Sequence, residues 1–126
     1  MKRIFSFLTV FSLALLLSCS EEDIETEAGV FIRIENVSEF AYRQVEVNTS
    51  GGKANYGNIS SGSTSAYQRF DYAYRYAAVA LKIEANKLRH QPFDYVGETR
   101  LSNGYYTYQI GVEDLVDGSL SLTLKQ

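Results

Sequence analysis

The chain has 126 residues, with one cysteine, one histidine and ten tyrosines, and its formal net charge at pH 7 is −3. From Ala28 onward, ten lysines and arginines stand against ten acidic residues, so this part lacks the excess of positive charge that favours nucleic-acid binding. A single cysteine excludes a disulfide within the chain. One cysteine and one histidine are also too few for a zinc site of the usual ligand set.

Residues 1–18 have the composition of a secretion signal peptide. Lys2 and Arg3 form a short positive start, and residues 4–17 are apolar apart from two serines and one threonine. This run is too short to serve as a permanent membrane-spanning helix. It ends in Leu16-Leu17-Ser18-Cys19, with an aliphatic residue three positions before the cysteine and a small one directly before it.

Those four residues resemble a bacterial lipobox. The resemblance implies that the signal is removed before Cys19 and that Cys19 is acylated on its sulfur and on its new amine. One acyl chain binds a membrane only marginally, at about 0.8 kcal/mol per buried CH₂, whereas two or more hold it stably. We therefore expect a membrane-bound lipoprotein anchored through Cys19. The alternative is an unmodified secretion signal with an incidental cysteine.

Residues 19–28 are predicted to be the lipidated cysteine and an acidic, flexible tether, because they are polar and show no apolar period. Within them Ser20-Glu21-Glu22-Asp23 resembles the acidic export tag of small surface lipoproteins in Bacteroidota. The resemblance implies an outer-membrane location with the domain exposed at the cell surface. The alternative is a periplasmic face, with the acids forming only a solvated linker.

Alternation of apolar and polar residues predicts seven or eight short strands between residues 29 and 126. In the first strand Val30, Ile32 and Ile34 share one face, and Arg33 and Glu35 share the other. This pattern is typical of a strand with one buried face.

The second predicted strand, at residues 40–47, has Val45 and Val47 on one side and Tyr42 on the other. The longest alternating run covers residues 74–85. Its two predicted faces consist of Ala77, Val79, Leu81 and Ile83, and of Ala78, Ala80, Lys82 and Glu84. A period of two excludes an amphipathic helix here, despite the alanines.

Residues 88–96 include the only proline, Pro92, which predicts an edge strand or an irregular crossover because proline cannot donate to a ladder. Residues 105–112 alternate well. The pattern places Tyr106, Tyr108, Ile110 and Val112 inward and Tyr105, Thr107 and Gln109 outward. Leu120, Leu122 and Leu124 mark the last strand.

Short strands separated by Gly, Asn and Ser predict an all-β protein, an antiparallel β-sandwich of seven or eight strands in residues 29–126. The segment Leu101-Ser102-Asn103-Gly104-Tyr105-Tyr106-Thr107-Tyr108-Gln109-Ile110 resembles the corner of carboxypeptidase-regulatory and transthyretin-like sandwiches. The domain as a whole resembles immunoglobulin-like or transthyretin-like β-sandwiches. The corner resemblance implies a tight approach at Gly104 and a buried Tyr106 ring. It implies no activity.

Catalytic and cofactor patterns are absent from the sequence. His90 lies between Arg89 and Gln91 with no G-x-S-x-G segment to supply a nucleophile, and neither a P-loop nor G-x-G-x-x-G occurs. The spacing of Asp114 and Asp117 matches a turn better than a calcium loop. We therefore expect neither an enzyme nor a cofactor or metal site.

Tyr72, Tyr74 and Tyr76 alternate in sequence, so in an extended chain their rings project to one side, with Asp71 and Arg75 beside them. One interpretation is cross-strand packing of aromatic rings. The other is an exposed binding strip whose rings stack on a sugar or a protein while Asp71 and Arg75 orient the ligand.

The combined pattern predicts a non-catalytic binding or accessory assembly module of the bacterial envelope, with a protein or a glycan as its partner and no role in binding nucleic acid. Two more specific functions remain open. One is a glycan-binding module of a polysaccharide-uptake system, and the other is an inhibitor of an extracellular protease.

Overall fold

In a computed structural model of the chain, residues 28–92 and 98–126 are described, and they contain eight β-strands and no helix. The strands are β1 (Val30–Asn36), β2 (Tyr42–Asn48), β3 (Lys53–Ile59), β4 (Gln68–Phe70), β5 (Ala78–Ile83), β6 (Asn86–His90), β7 (Gly104–Asp114) and β8 (Ser119–Lys125). The described part thus offers no helix long and apolar enough to cross a bilayer. The predicted signal peptide, Cys19 and residues 20–27 lie outside the described residues.

The eight strands form one mixed sheet in the order β3-β2-β5-β6-β8-β7-β1-β4. The sheet curls until it is nearly closed into a barrel. The strand at one edge of the sheet, β3, contacts β4 at the opposite edge and its neighbour β1. The Tyr56 hydroxyl on β3 donates a 2.7 Å hydrogen bond to the carbonyl of Ile32 on β1. The Gln68 amide on β4 donates a longer one, 3.4 Å, to the carbonyl of Asn55 on β3.

The all-β class is confirmed, but the prediction of a purely antiparallel sandwich is not. β1 pairs with β7 in parallel along its whole length, and β6 pairs with β8 in parallel through Arg89 and Ser119 alone. β1 also lies far from β2 in the sheet order, unlike the first two strands of an immunoglobulin constant domain. Alternation shows which side chains point inward, and it carries no information on which strands are neighbours.

The predicted inward faces of β1 and β5 are confirmed, and that of β7 is largely confirmed. Val30, Ile32 and Ile34 on β1 are at most 1% exposed, and the inward residues of β5 are buried as well. On β7 the predicted inward residues Tyr106, Tyr108 and Ile110 are buried, whereas Val112 is only half-buried. Thr107, predicted to face outward, is 7% exposed, because Arg33 lies over it and donates to its hydroxyl. The core consists of Val30, Ile32, Ile34, Tyr42, Val45, Val47, Ile59, Phe70, Ala73, Ala77, Val79, Leu81, Ile83, Leu88, Tyr106, Tyr108, Ile110 and Leu120. It fills the interior between the β3-β2-β5-β6 half and the β8-β7-β1-β4 half of the sheet.

The predicted outward position of Tyr42 is wrong. Tyr42 is fully buried together with Val45 and Val47, although Tyr42 and Val45 are separated by an odd number of positions. The pairing of β2 with β3 and β5 shifts register between these residues, and Gln44 adopts a φ of +52°. The resulting β-bulge inserts an extra residue, so the phase of alternation changes and both side chains point inward.

Of the two features that the corner resemblance at residues 101–110 implied, the buried Tyr106 ring is observed, whereas the tight approach at Gly104 is not, because a Cβ there would stand 3.8 Å from the Tyr106 ring. The Tyr106 ring is 6% exposed, and its hydroxyl donates a 2.8 Å hydrogen bond to the carbonyl of Ser102 four residues earlier. Gly104 adopts a φ of +153°, which a residue with a Cβ rarely reaches. Its amide donates to the carbonyl of Gly29 at 3.1 Å, so the corner is fastened to the start of β1.

Pro92 lies outside the strands. β6 ends at His90, two residues before the proline, and it occupies an interior position between β5 and β8. The edge-strand prediction for residues 88–96 is therefore wrong for the part before Pro92, while residues 93–96 lie outside the described residues.

Candidate functional site

The predicted tyrosine strip does not lie on a strand. Residues 71–77 form the connection between β4 and β5 without regular secondary structure. Tyr72, Tyr74 and Tyr76 are each half-buried, whereas Ala73 and Ala77 beside them are fully buried. The rings of Tyr72 and Tyr74 meet edge to face, with centroids 6.0 Å apart and planes at 83°.

This connection is held against the turn between β2 and β3. The Thr49 hydroxyl donates a 2.9 Å hydrogen bond to the carbonyl of Tyr72, and the Asp71 amide donates to the carbonyl of Gly51 at 3.1 Å. The approach at Gly51 is so close that a Cβ there would stand 2.1 Å from the Tyr72 carbonyl oxygen. The backbone around Tyr72 is therefore fixed by its neighbours.

The charged residues predicted to serve the strip are only partly placed to do so. The Asp71 carboxylate pairs with the Arg69 guanidinium at 3.0 Å, so part of its hydrogen-bonding capacity is already used. Arg75 is exposed. Arg100, which the sequence pattern did not indicate, stacks its guanidinium 3.6 Å from the centroid of the Tyr72 ring.

A second aromatic cluster lies on the outer face of β4, β1 and β7. Parallel pairing sets Phe31 beside Tyr105, and their rings stack with centroids 4.9 Å apart and planes within 18°. Tyr67, just before β4, meets Tyr105 edge to face at 5.1 Å. We call Phe31, Tyr67, Tyr105 and the adjoining Arg33 the aromatic platform.

The platform faces solvent. Tyr105 is 59% exposed and Tyr67 is 39% exposed, so both are among the few large hydrophobic side chains left accessible in the described part of the chain. The Arg33 guanidinium lies 5.0 Å from the centroid of the Tyr67 ring, close enough for a cation–π contact. The platform thus presents three aromatic rings with one cation among them.

Hydrogen-bonding side chains continue from the platform along β1 and β7. The Arg33 guanidinium donates to the Thr107 hydroxyl at 3.1 Å, and the Gln109 amide donates to the Glu35 carboxylate at 2.9 Å. Each bond joins side chains that are neighbours across the parallel pairing. This mutual bonding holds the polar groups in fixed positions next to the rings.

The outward orientation of these residues was predicted correctly, but their assembly into one surface was missed. Alternation placed Arg33, Glu35, Tyr105 and Gln109 outward. Nothing in it indicated that β1 and β7, some seventy residues apart, are neighbours. The available signal was Phe31, a large apolar residue at an outward position between Val30 and Ile32.

The only histidine is tied to the backbone. His90 Nδ1 lies 3.2 Å from the carbonyl oxygen of Leu120. No three His, Cys, Asp or Glu residues within 28–92 and 98–126 are grouped closely enough to hold a metal ion. What the described arrangement offers chemically is a surface for stacking, apolar contact and hydrogen bonding.

Comparison with known proteins gives a fold and no function. No protein-family model matches the chain, and no curated protein does. Among solved structures, the chain is similar to a protein from Eubacterium rectale determined by NMR, with a TM-score of 0.55 and 12% sequence identity. The match covers 82% of this chain and 94% of that one, so the likeness extends over nearly the whole described domain and concerns the fold alone.

Proposed function

We propose that this protein is a non-catalytic binding module of the bacterial envelope that captures a protein partner through the aromatic platform. The observation that carries the proposal is the solvent-facing cluster of Phe31, Tyr67 and Tyr105 around Arg33. Tyrosine and arginine are enriched among the residues that dominate interface energetics, since they bury large areas and also hydrogen-bond. Rings already packed against each other lose little conformational freedom on binding.

The anchor belongs to the same proposal. Cys19 carries the acyl chains that hold the protein at the outer membrane, and Ser20, Glu21, Glu22 and Asp23 direct it to the cell surface. The support is the lipobox-like ending of the signal and the acidic stretch directly after it. A domain held at the membrane meets partners in the same envelope at high effective concentration.

The finer fold kinship is also a proposal. The halves β3-β2-β5-β6 and β8-β7-β1-β4 are joined between β6 and β8 by one residue pair, and at the opposite margin β3 meets β1 and β4. Two facing halves joined this weakly are compatible with the two sheets of a transthyretin-like sandwich. The corner with its buried Tyr106 supports the same kinship.

Site-directed photo-crosslinking tests the platform. A photoreactive amino acid at position 105 of the full-length lipoprotein, expressed in its own cells, should give a discrete crosslinked species. The same residue at position 116, where the valine is 98% exposed on the β7–β8 turn, should not. Additional Tyr67→Ser and Arg33→Gln substitutions should abolish the species. Equal crosslinking from both positions, or survival of the species in these variants, would overturn the proposal.

A glycan is the second candidate partner, and one observation favours it. The polar pairs Arg33–Thr107 and Gln109–Glu35 stand beside the stacked pair of Phe31 and Tyr105. Flat apolar rings flanked by a few oriented polar groups are the usual composition of a small-ligand site. A glycan array probed with wild type and with Tyr105→Ser separates the candidates, because a sugar ligand gives signals that the variant loses.

A further inference from the structure

A groove lined by polar and charged side chains lies on the other half of the sheet, across the outer face of β2, β5 and β6. Its larger compartment has a volume of about 440 Å³, and its lining includes Glu46, Ala80, Lys82, Lys87 and Arg89. A second compartment of about 180 Å³ adjoins it, sharing Glu46, Ala80 and Arg89. We call the two together the basic groove.

The groove follows from the side chains on three neighbouring strands. The outward positions of β5 include Ala78 and Ala80, which are small, while β2 and β6 carry long side chains on either side. In the register of the sheet, Ala80 stands between Glu46 and Arg89. The alanine row is therefore the floor, and the longer side chains are the walls.

Positive charge is concentrated on this surface although the folded part of the chain is balanced overall. Arg43 lies opposite Lys82 across the β2–β5 pairing, and Lys82 lies opposite Lys87 across the β5–β6 pairing. Three cations thus stand in one row across three strands, with Arg89 in the next row. Like charges placed directly opposite each other destabilise a sheet, so this arrangement opposes folding stability.

These cations have no carboxylate partner in the described residues. The two ion pairs found there join Lys53 to Glu46 at 3.6 Å and Arg69 to Asp71 at 3.0 Å. Glu46 is the single acid in the lining of the basic groove, and it is already paired. Charge complementarity therefore calls for an anionic ligand.

The neutral side chains of the groove indicate which class of anionic ligand it fits. Gln44 and Asn55 line the larger compartment, and amides both donate to and accept from hydroxyl groups. A bare phosphate ion would accept from the cations and from the amide N–H groups, but it would offer no rings to rest on the alanine floor and few donors to the Gln44 carbonyl oxygen. Two adjoining compartments with an alanine floor, amide side chains and ammonium and guanidinium groups suit a chain of sugar rings that carries negative charge.

We propose that the basic groove binds an anionic oligosaccharide, with Lys82, Lys87 and Arg89 on its carboxylate or sulfate groups. The ring faces rest on Ala80, and Gln44 and Asn55 hydrogen-bond to hydroxyls. Uronates and sulfated sugars share this chemistry. The basic groove is separate from the aromatic platform, so this proposal does not depend on the partner proposed for the platform.

Calorimetric titration of the full-length protein in mild detergent tests the site with three probes of equal length. These are an oligogalacturonate, a sulfated galactan oligomer and a neutral galactan oligomer. Binding of the oligogalacturonate identifies a uronate site, and binding of the sulfated probe identifies a sulfate site. Either result, with affinity falling as salt rises, supports the proposal. Equal binding of the neutral oligomer, or binding of none of the three, overturns it.

Two variants locate the binding. The double variant Lys87→Gln/Arg89→Gln should lower the affinity for the anionic probe by roughly a hundredfold, since each lost charge-assisted contact is worth about one order of magnitude in affinity. The matched control is Lys125→Gln, an exposed cation on β8, which should leave affinity within about twofold. Lys87→Gln should also keep or raise the melting temperature, because it removes one of two like charges that stand opposite each other in the β5–β6 pairing. Unchanged affinity in the double variant, or binding to anionic phospholipid vesicles in place of the sugars, would overturn the site.

Discussion

The Tyr42 hydroxyl on β2 donates a 2.8 Å hydrogen bond to the carbonyl of Ile110 on β7, 68 residues away and across the core. The ring is fully buried, and burial raises the pKa of Tyr42 above its ordinary value. The same carbonyl also accepts a bond from the Val37 amide at 3.1 Å. The Tyr42 side chain thus links the two halves of the sheet through a polar contact inside an apolar interior.

Tyr42→Phe should therefore cost about 1 kcal/mol of unfolding free energy, the typical net worth of one such bond. The cost stays small because the Ile110 carbonyl keeps its bond from Val37. Urea unfolding at neutral pH measures it. Tyr105→Phe, at a 59% exposed ring, is the control and should change stability by less than about 0.5 kcal/mol. A loss above about 3 kcal/mol would contradict this account of the contact.

Tyr56 makes folding sensitive to alkaline pH. Burial strongly raises the pKa of Tyr56, and the nearby phenol of Tyr108 adds to the effect. In the unfolded chain the pKa is about 10, so above pH 10 the unfolded state loses a proton that the folded state keeps. The contribution of the protonated Tyr56 hydroxyl to the free energy of unfolding is thus fully present below pH 10, and it is lost as the pH rises above 10.

Unfolding free energies measured from pH 8 to pH 11.5 should fall with pH above 10, and Tyr56→Phe should reduce that slope by up to about 1.4 kcal/mol per pH unit. Tyr42→Phe should reduce it further, because its pKa is also raised by burial. A slope unchanged by both substitutions would show that these hydroxyls ionise in the folded protein as readily as in the unfolded chain.

The faces of β1 and β5, and largely that of β7, were predictable from sequence, because solvent on one side and core on the other impose a period of two. Val30, Ile32 and Ile34 illustrate this success. The prediction failed at Tyr42 for a local reason. One extra residue at a bulge reverses the inward–outward alternation, and the sequence pattern alone does not show the bulge.

The aromatic platform and the basic groove were missed for a different reason. Both depend on which distant strands are neighbours, as Phe31 is to Tyr105.

The β5–β6 hairpin contains a strained residue. Ile83 pairs with Asn86, so Glu84 and Ala85 form the two-residue loop, and Glu84 adopts a φ of +57°. A side chain in this region costs about 1 kcal/mol or more, whereas glycine adopts it freely. Glu84→Gly should stabilise the domain by up to about 1 kcal/mol in thermal or urea unfolding.

Ala85→Gly is the matched control for the hairpin, because Ala85 is not among the residues with positive φ. It should be neutral or destabilise by about 0.5 kcal/mol through the greater freedom of the unfolded chain. If both glycines changed stability equally, strain at Glu84 would not explain the result.

The anchor gives a prediction independent of the fold. Cys19→Ala should abolish incorporation of an alkyne fatty acid and release the protein from the membrane fraction, since no other cysteine remains to accept an acyl chain. Ser20→Ala should label like wild type. Replacing Glu21, Glu22 and Asp23 by Asn should leave labelling intact and reduce cleavage by protease added to intact cells. If protease added to intact cells cleaved this variant as readily as wild type, the three acidic residues would have no role in export to the cell surface.

The strip around Tyr72 and the aromatic platform should behave in opposite ways. Arg100 covers one face of the Tyr72 ring at 3.6 Å and Tyr74 meets it edge to face, so little of that ring is left to stack on a ligand. A double-mutant cycle of Arg100→Gln and Tyr72→Leu should give a coupling of about 0.5–1 kcal/mol in unfolding free energy.

The two surfaces also differ in what they should capture. Tyr72→Leu should lower stability and leave ligand or partner capture unchanged, whereas Tyr105→Ser should leave stability unchanged and abolish capture. Loss of capture in Tyr72→Leu with wild-type stability would instead place the binding surface at Tyr72, Tyr74 and Tyr76.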